Sequence, residues 1–184
     1  VQGRDFSLRG TRMMRRVEKL NKPVIAMING FALGGGLELA MCCHLRIAAD
    51  SAKLGQPEIN LGLIPGFGGS QRLLRLCGRA ATLELCLTGA PINAERALQL
   101  GIVNRVVPAA DLEAETMKLA AQLAASAPRA LRGMLDCVNV GGECGIEEGL
   151  EYEAAQFGLV FSTEDMREGT SAFLGKRKPV FAGK

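Results

Sequence analysis

Residues 29–40 read NGFALGGGLELA, a glycine triplet that leads into an apolar helical pattern. A second stretch, GQPEI at residues 55–59, lies further along the chain, and each stretch carries one glutamate, Glu38 and Glu58. A carboxylate in apolar surroundings must be hydrogen-bonded, paired or neutralised. Burial also raises the pKa of a carboxyl group toward the range that is useful for proton transfer. The pair therefore predicts acid/base chemistry.

For either glutamate alone, an equally good interpretation is a capping residue or a solvent-facing side chain. However, residues 39–49 between them are apolar except for His44 and Arg46, which predicts that this region is interior. Neither glutamate has an obvious cationic neighbour in the sequence, and both stand beside glycines. For the two together, we favour the functional interpretation.

The glycines suggest an anion site. Backbone N–H groups of Gly34 to Gly36 can converge on a bound oxygen, because no Cβ blocks the approach and a helix N-terminus carries partial positive charge. A second run, GFGG at residues 66–69, could supply further donors at another helix start. Neither run is G-x-G-x-x-G or is followed by G-K-[ST], which excludes dinucleotide and P-loop sites. A tight packing turn remains the alternative for a glycine triplet alone.

The composition narrows the possible functions. With 184 residues the chain forms one domain, or one domain with an appendage. Tryptophan is absent and there is one tyrosine, so stacking platforms for single-stranded nucleic acid are scarce. The net charge of +3 is uneven, since residues 1–22 hold seven basic and two acidic residues. We predict an amphipathic helix there, with Met13, Val17 and Leu20 on its apolar face. RNA or another anionic partner is the minor alternative.

Cysteine and histidine usage argues against metal and disulfides. The six cysteines form no C-x-x-C pair, which favours buried free thiols in a reducing compartment. His44 is the only histidine and has no metal-ligand spacing around it, so we interpret it as a core or capping residue. No apolar run is long enough to span a membrane, and no signal peptide is visible.

Strands and helices alternate over residues 1–107, which predicts an α/β layered core. We expect a strand buried on both faces at 23–29, a turn at 30–36, a helix at 37–43 and a second strand at 45–49. A short strand and loop follow at 53–63, then a helix that ends at Gly78, helices at 79–88 and 93–100, and a strand at 102–107. Residues 108–184 form a separate helical region, with helices at 109–126, 128–140, 146–161 and 163–175.

The third of these C-terminal helices carries an apolar stripe. Its members are Ile146, Leu150, Phe157 and Phe161. Such a stripe can pack on a neighbouring subunit or back on its own core, and the sequence does not choose between the two.

Taken together, the motifs resemble the enoyl-CoA hydratase/isomerase (crotonase) family. They are NGFALGGGLELA at 29–40, GQPEI at 55–59 and GLIPGFGGSQRL at 62–73, followed by LTG at 87–89, residues 97–103, REG at 167–169 and KRK at 176–178. The resemblance covers essentially the whole chain. It implies the ClpP/crotonase fold, a crotonase-like spiral of ββα units, with a C-terminal helical oligomerisation region.

The resemblance also implies roles for the site residues. Glu38 and Glu58 match the catalytic glutamates that hold the attacking water in the family's hydratases, with Glu58 carrying the α-proton. The N–H of Gly35 would be one of two oxyanion-hole donors to the thioester oxygen, and Gly66 would lie at the helix start behind this site. Because isomerases of the family often keep only one of these carboxylates, both together favour reversible syn addition of water to trans-2-enoyl-CoA. A Δ3,Δ2-enoyl-CoA isomerase, or a non-catalytic or RNA-binding protein, is the alternative.

Further expectations follow from the family. The substrate is an acyl-CoA thioester, no metal or redox cofactor is needed, and the chains form homotrimers or hexamers. The compartment is the bacterial cytoplasm or the mitochondrial matrix. Many members have an aspartate where His44 stands, which we interpret as structural variation. The family's N-terminal strands, which supply the second oxyanion-hole N–H and much of the CoA pocket, have no counterpart here. We therefore expect the chain to begin partway through the fold.

Overall fold

The computed structural model describes all residues from 1 to 184. Its helices are α1 (Gln2–Glu18), α2 (Gly35–Cys42), α3 (Gly69–Thr88), α4 (Ala94–Gln99), α5 (Leu112–Ala124), α6 (Pro128–Gly141), α7 (Ile146–Phe161) and α8 (Glu164–Leu174). Its strands are β1 (Ile25–Ile28), β2 (Phe31–Leu33), β3 (Leu45–Ala49), β4 (Lys53–Gly55), β5 (Ile92–Asn93) and β6 (Arg105–Val107). Two 3-10 helices span Pro57–Leu61 and Ala109–Asp111.

The chain divides into two compact units. The first comprises Val1–Leu20 and Val24–Lys118, and the second comprises Asn21–Pro23 and Leu119–Lys184. Helix α5 crosses the point of division, whereas the boundary that we placed between residues 107 and 108 lies before this helix. All of the strands, and both glutamates of interest, lie in the first unit.

The first four strands alternate between two small sheets, which β5 and β6 complete. One sheet has the order β1-β3-β6 and is parallel, with Ile25 opposite Leu45 and Ile47 opposite Arg105. The other has the order β2-β4-β5, in which β2 and β4 are parallel and β5 is antiparallel. Since β1 and β2 precede α2, and β3 and β4 precede α3, the chain winds as repeated ββα units. This agrees with the predicted spiral.

Two strands, β2 and the two-residue β5, were not predicted from the sequence. We expected residues 30–36 to form a turn, but Phe31–Leu33 pairs with β4 in the second sheet. Three residues between glycines are too few to show a period-2 pattern, so only the presence of β4 as a partner makes this strand recognisable. The short strand places Gly34 at the start of α2.

Two burial predictions were wrong. Strand β1 is not buried on both faces, since Met27 is 47% exposed. On α1 the buried residue is Met14, at 3% exposure, whereas Met13 and Leu20 of the predicted apolar face are exposed. Methionines at consecutive positions offer two alternative helix faces, and the packing of α1 decides between them.

The core of the first unit forms around α2, α3 and the two sheets. Its largest members with no exposed surface include Leu37, Leu54, Leu73 and Ile102. Helix α3 bends at Gly78, whose φ of 74° and ψ of 175° are not helical. The helix predicted to end at this glycine and the one predicted at 79–88 are therefore the two segments of α3.

In the second unit, the segment after α8 is fixed back onto that helix. The Asp165 carboxylate accepts hydrogen bonds from the backbone N–H groups of Ala182 (2.7 Å) and Gly183 (2.9 Å). Glu168 accepts two hydrogen bonds from the Arg177 guanidinium, at 2.6 and 2.7 Å. The Arg177 hydrogen bonds lower the pKa of Glu168 to about 2.

All six cysteines are free thiols, as predicted. Their predicted burial holds fully only for Cys42, because Cys144 is exposed and the other four are half-buried. Burial raises the pKa of Cys42 to about 12. No helix combines the length and the apolar character that crossing a bilayer requires.

Candidate active site

Glu38 lies in the first turn of α2 and is 1% exposed. Gly34, with φ 54° and ψ −123°, is the residue that precedes the helix, and its carbonyl accepts the first helical hydrogen bond from the Glu38 N–H (2.9 Å). This conformation has a positive φ, which glycine adopts without steric cost. The glycine run thus fixes where α2 begins and therefore where Glu38 lies.

One oxygen of Glu38 is held by the second glycine run. Oε1 accepts hydrogen bonds from the backbone N–H groups of Phe67 (2.8 Å) and Gly69 (2.7 Å). No protein donor reaches Oε2. We had expected residues 66–69 to offer donors at a helix start. Two of their N–H groups are instead committed to the carboxylate itself.

Glu58 approaches the same helix start from the 3-10 helix Pro57–Leu61. A Cβ built at Gly34 would lie 2.9 Å from Glu58 Oε1. Burial raises the pKa of Glu58, and the negative charge of Glu38 adds to this effect, whereas a hydrogen bond from the backbone N–H of Glu58 opposes it. The two glutamates predicted from the sequence therefore come together at the start of α2, next to Gly34.

Gln56 is a site residue that sequence reasoning missed. It has no exposed surface, and its side-chain amide, oriented as a donor, lies 2.8 Å from Oε1 and 3.0 Å from Oε2 of Glu58. A Cβ at Gly69 would lie 2.4 Å from an atom of this amide, so the glycine gives Gln56 its space. In the sequence, Gln56 could have been noticed as a polar residue two positions before Glu58 and directly after a short strand.

Gly35 is the first residue of α2. An N–H at this position of a helix has no acceptor within the helix, so it is free to bind a ligand oxygen. Gly66 lies in the turn before α3, where its carbonyl accepts a hydrogen bond from Ser7 Oγ. Gly35 directly follows Gly34, whose Cβ position lies next to Glu58, and it shares the first turn of α2 with Glu38. Gly66 directly precedes Phe67, a donor to Glu38.

His44 has a structural role, as predicted. Its Nδ1 accepts a hydrogen bond from the Val24 N–H (2.9 Å), and its Nε2 lies 3.1 Å from the Glu18 carbonyl oxygen. Since Nδ1 accepts, Nε2 carries the proton and donates to that carbonyl. Both ring nitrogens are thus used in joining α1 to the segments around β1 and β3.

Arg46, the other polar residue of this region, is also structural. Its guanidinium donates to the carbonyls of Ile102 and Cys43, each at 2.6 Å, and the side chain is buried. Burial lowers the pKa of Arg46. No ion pair joins Arg46 or any other cation to Glu38 or Glu58.

The arrangement can bind a developing oxyanion and move protons next to it. The free N–H at the start of α2 suits an oxygen that gains negative charge. Two carboxylates beside that point, one fixed by two N–H groups and one with a raised pKa, suit an acid/base pair.

Comparison with known proteins gives the same family. The family model described as "Enoyl-CoA hydratase/isomerase" matches residues 2–184. The chain is 46% identical over 184 residues to "Crotonyl-CoA hydratase" of Syntrophomonas wolfei, covering 100% of this chain and 71% of that protein. It is 45% identical over 178 residues to "Short-chain-enoyl-CoA hydratase" of Clostridium acetobutylicum, covering 97% of this chain and 68% of that protein.

The fold matches as well. The crystal structure of an enoyl-CoA hydratase from Bacillus anthracis superimposes with a TM-score of 0.96 at 42% identity, over 100% of this chain and 71% of that one. This confirms the predicted crotonase-like fold. With a family model matched over nearly its whole length, and with relatives this similar in sequence and structure, the chain belongs to the enoyl-CoA hydratase/isomerase family.

Proposed function

We propose that this protein is an enoyl-CoA hydratase, a hydro-lyase that catalyses the reversible syn addition of water to trans-2-enoyl-CoA and gives 3-hydroxyacyl-CoA. The observation that carries the proposal is the convergence of Glu38 and Glu58 at Gly34, directly before the free N–H of Gly35. Hydration by this mechanism uses two carboxylates and an oxyanion donor close together, and the arrangement at the start of α2 supports it. The names of its relatives support the same activity.

Each group has a role in the addition. The Gly35 N–H binds the thioester carbonyl oxygen, which gains negative charge as the water oxygen bonds to C3. Glu38, with Oε1 held by two N–H groups, takes a proton from this water through Oε2, and Glu58 delivers a proton to C2. The raised pKa of Glu58 supports this assignment, because it keeps a proton available at a higher pH than an ordinary glutamate does. Gly66 belongs to the turn behind Glu38.

The test is the hydration of crotonyl-CoA by Glu38→Gln and Glu58→Gln. Each substitution should lower kcat by about two to four orders of magnitude, the usual contribution of acid/base groups. Glu84→Gln, at an exposed position of α3, is the matched control and should retain full activity. Near-normal hydration by both site variants would refute the proposal. An isomerase needs only one proton shuttle, so double-bond migration that tolerates one of the two substitutions would favour that activity instead.

No metal or redox cofactor is part of this proposal, because the thioester itself acidifies the α-carbon and coenzyme A is part of the substrate. Hydration should therefore continue at an unchanged rate after dialysis against a chelator. Loss of activity that added divalent metal restores would contradict this.

We infer that the chains assemble into homotrimers, which pair into hexamers. Support comes from an apolar face of α6 and α7 with a groove of about 500 Å³, lined by side chains such as Met134, Leu150 and Phe157. All four members of the predicted stripe on α7 are more than half exposed in the single chain. Phe157→Lys should reduce the assembly state in native mass spectrometry, whereas Glu151→Lys, at an exposed position on the same helix, should not.

The substrate and the relatives also suggest a role in fatty acid β-oxidation, in the bacterial cytoplasm or in the mitochondrial matrix. The two relatives named above come from bacteria, which supports the first compartment. Fractionation of cells with an antibody to this protein would test the location. Hydration rates for 2-enoyl-CoA substrates of increasing chain length, from crotonyl-CoA upward, would test the metabolic role.

A further inference from the structure

The turn of residues 66–68 is held at every one of its carbonyls. Ser7 Oγ donates to the Gly66 carbonyl, Arg72 Nη1 donates to the Phe67 carbonyl (2.7 Å), and the Arg72 backbone N–H donates to the Gly68 carbonyl (3.0 Å). These donors come from α1 and from the first turn of α3. The turn therefore cannot rotate without breaking bonds to two helices.

The same peptide groups bind Glu38 on their other side. A peptide is planar, and its C=O and N–H point in opposite directions. The peptide that carries the Gly66 carbonyl also carries the Phe67 N–H, and the peptide that carries the Gly68 carbonyl also carries the Gly69 N–H. Both N–H groups donate to Glu38 Oε1. Holding each carbonyl therefore directs each N–H at the carboxylate.

The Arg72 side chain is itself held in place by other residues. Its Nε forms an ion pair with the Glu18 carboxylate, and both side chains are largely buried. Glu18 is in turn bound through its backbone carbonyl by His44 Nε2. A Cβ at Gly68 would lie 2.3 Å from Arg72 Nη1, so the guanidinium occupies the space that the glycine leaves open. The φ of 99° at Gly68 also excludes most other residues.

We propose that Ser7 and Arg72 are positioning residues for hydration. The Ser7 hydroxyl holds the peptide whose Phe67 N–H binds the Glu38 carboxylate, and the Arg72 guanidinium holds the Phe67–Gly68 peptide that lies between the two peptides bound to Glu38. Neither residue needs to contact the substrate. Their effect on the reaction passes through Glu38, and the inference therefore rests on the proposed acid/base role of that glutamate.

The experiment measures kcat and KM with crotonyl-CoA for Ser7→Ala and Arg72→Met. We expect kcat to fall about tenfold to a hundredfold, the cost of misplacing a catalytic group by about 1 Å, with KM changed less than about threefold. The matched controls are Ser126→Ala, whose exposed hydroxyl donates to the Gln122 carbonyl, and Arg75→Met, an exposed arginine on α3. Both controls should keep the kcat of the unmodified protein.

A double-mutant cycle separates positioning from general weakening of the fold. In a Glu38→Gln background, Ser7→Ala and Arg72→Met should each change the residual kcat by less than about twofold, because the group through which they act is already removed. An equal factor in both backgrounds, a change in KM alone, or a kcat equal to the controls would overturn the inference. The proposed function would stand in those cases if Glu38→Gln itself were inactive.

Folding of the variants need not limit the test. Arg72→Met leaves the Glu18 carboxylate half-buried without this partner, which destabilises a protein. The pair Glu18→Gln with Arg72→Met removes both charges together and should show the same fall in kcat. Ser7→Ala changes one half-buried hydroxyl and leaves the ion pair intact. If the arginine variants do not fold, Ser7→Ala alone decides the outcome.

Discussion

The carboxylate of Glu58 lies against the backbone of Gly34, with Oε1 2.9 Å from the position that a Cβ would take. Gly34 also has a φ of 54° and immediately precedes the helix that carries Glu38. One residue without a side chain thus sets the start of α2 and makes room for the second glutamate.

Gly34→Ala should therefore lower the rate of hydration while the protein still folds. The new methyl group displaces the Glu58 carboxylate, and we expect kcat for hydration to fall about tenfold to a hundredfold. The positive φ adds about 1–2 kcal/mol of instability. Gly30→Ala is the control, because nothing lies within 4 Å of its Cβ position. Steady-state kinetics that do not distinguish the two variants would contradict the placement of Glu58.

Gln56→Met should change the pH dependence of the reaction. The Gln56 amide donates to both oxygens of Glu58, and hydrogen bonds of this kind favour the ionised carboxylate. Without them, the pKa of Glu58, already raised by burial, rises further. Since Glu58 must carry a proton to deliver to C2, the alkaline limb of the kcat/KM profile should move to higher pH. An unchanged alkaline limb would show that Gln56 does not tune this group.

Glu58→Gln should stabilise the protein at alkaline pH. The pKa of Glu58 is higher in the folded chain than in the unfolded one, so the folded state binds this proton more tightly. Its contribution to stability is lost as the pH rises through the folded-state pKa, and above it the ionised carboxylate lowers the free energy of unfolding. Thermal unfolding should show a higher Tm for the variant at pH 8 and little difference at pH 4. A lower Tm at pH 8 would contradict the sign of the shift.

Arg46→Met should lower the free energy of unfolding without changing the groups proposed to catalyse hydration. Loss of the guanidinium leaves the buried carbonyls of Ile102 and Cys43 without these donors. Each carbonyl left unpaired costs about 1–3 kcal/mol, so for two of them the free energy of unfolding in urea should fall by about 2–6 kcal/mol. Arg105→Met, at an exposed position of β6, should change it by less than about 0.5 kcal/mol. Equal effects of the two substitutions would refute the role of Arg46.

Much of the site was recognisable in the sequence because its chemistry is local. Glu38 follows the glycine triplet within one helical turn, and Glu58 stands beside its own short motif, so both could be named before any fold was known. Gln56, Ser7 and Arg72 could not be named in this way. The role of a single polar residue cannot be recognised until its partner in another element is known. Ser7, for example, is 59 residues away from its partner Gly66 in the sequence.

The helices and strands likewise separate into those that the sequence predicts and those that depend on tertiary contacts. Strand β3 and helices α2, α6 and α7 have clear apolar patterns, and the structure confirms them with small shifts at their ends. The strand at 31–33 has too short a pattern to be seen, and it exists because β4 pairs with it. The buried face of α1 likewise depends on contacts, which select Met14 over Met13.

By itself, the sequence determined the alternation of strands and helices, the glycine positions that allow close backbone approach, and the two carboxylates. Those features depend on the conformational freedom of glycine and on periodic burial, which act over a few residues. Only the tertiary structure decided that Glu38 and Glu58 meet at Gly34, and that residues 66–69 hold Glu38 rather than a ligand. Hydrogen bonds and charge interactions depend on distances in space, and folding alone brings such groups together.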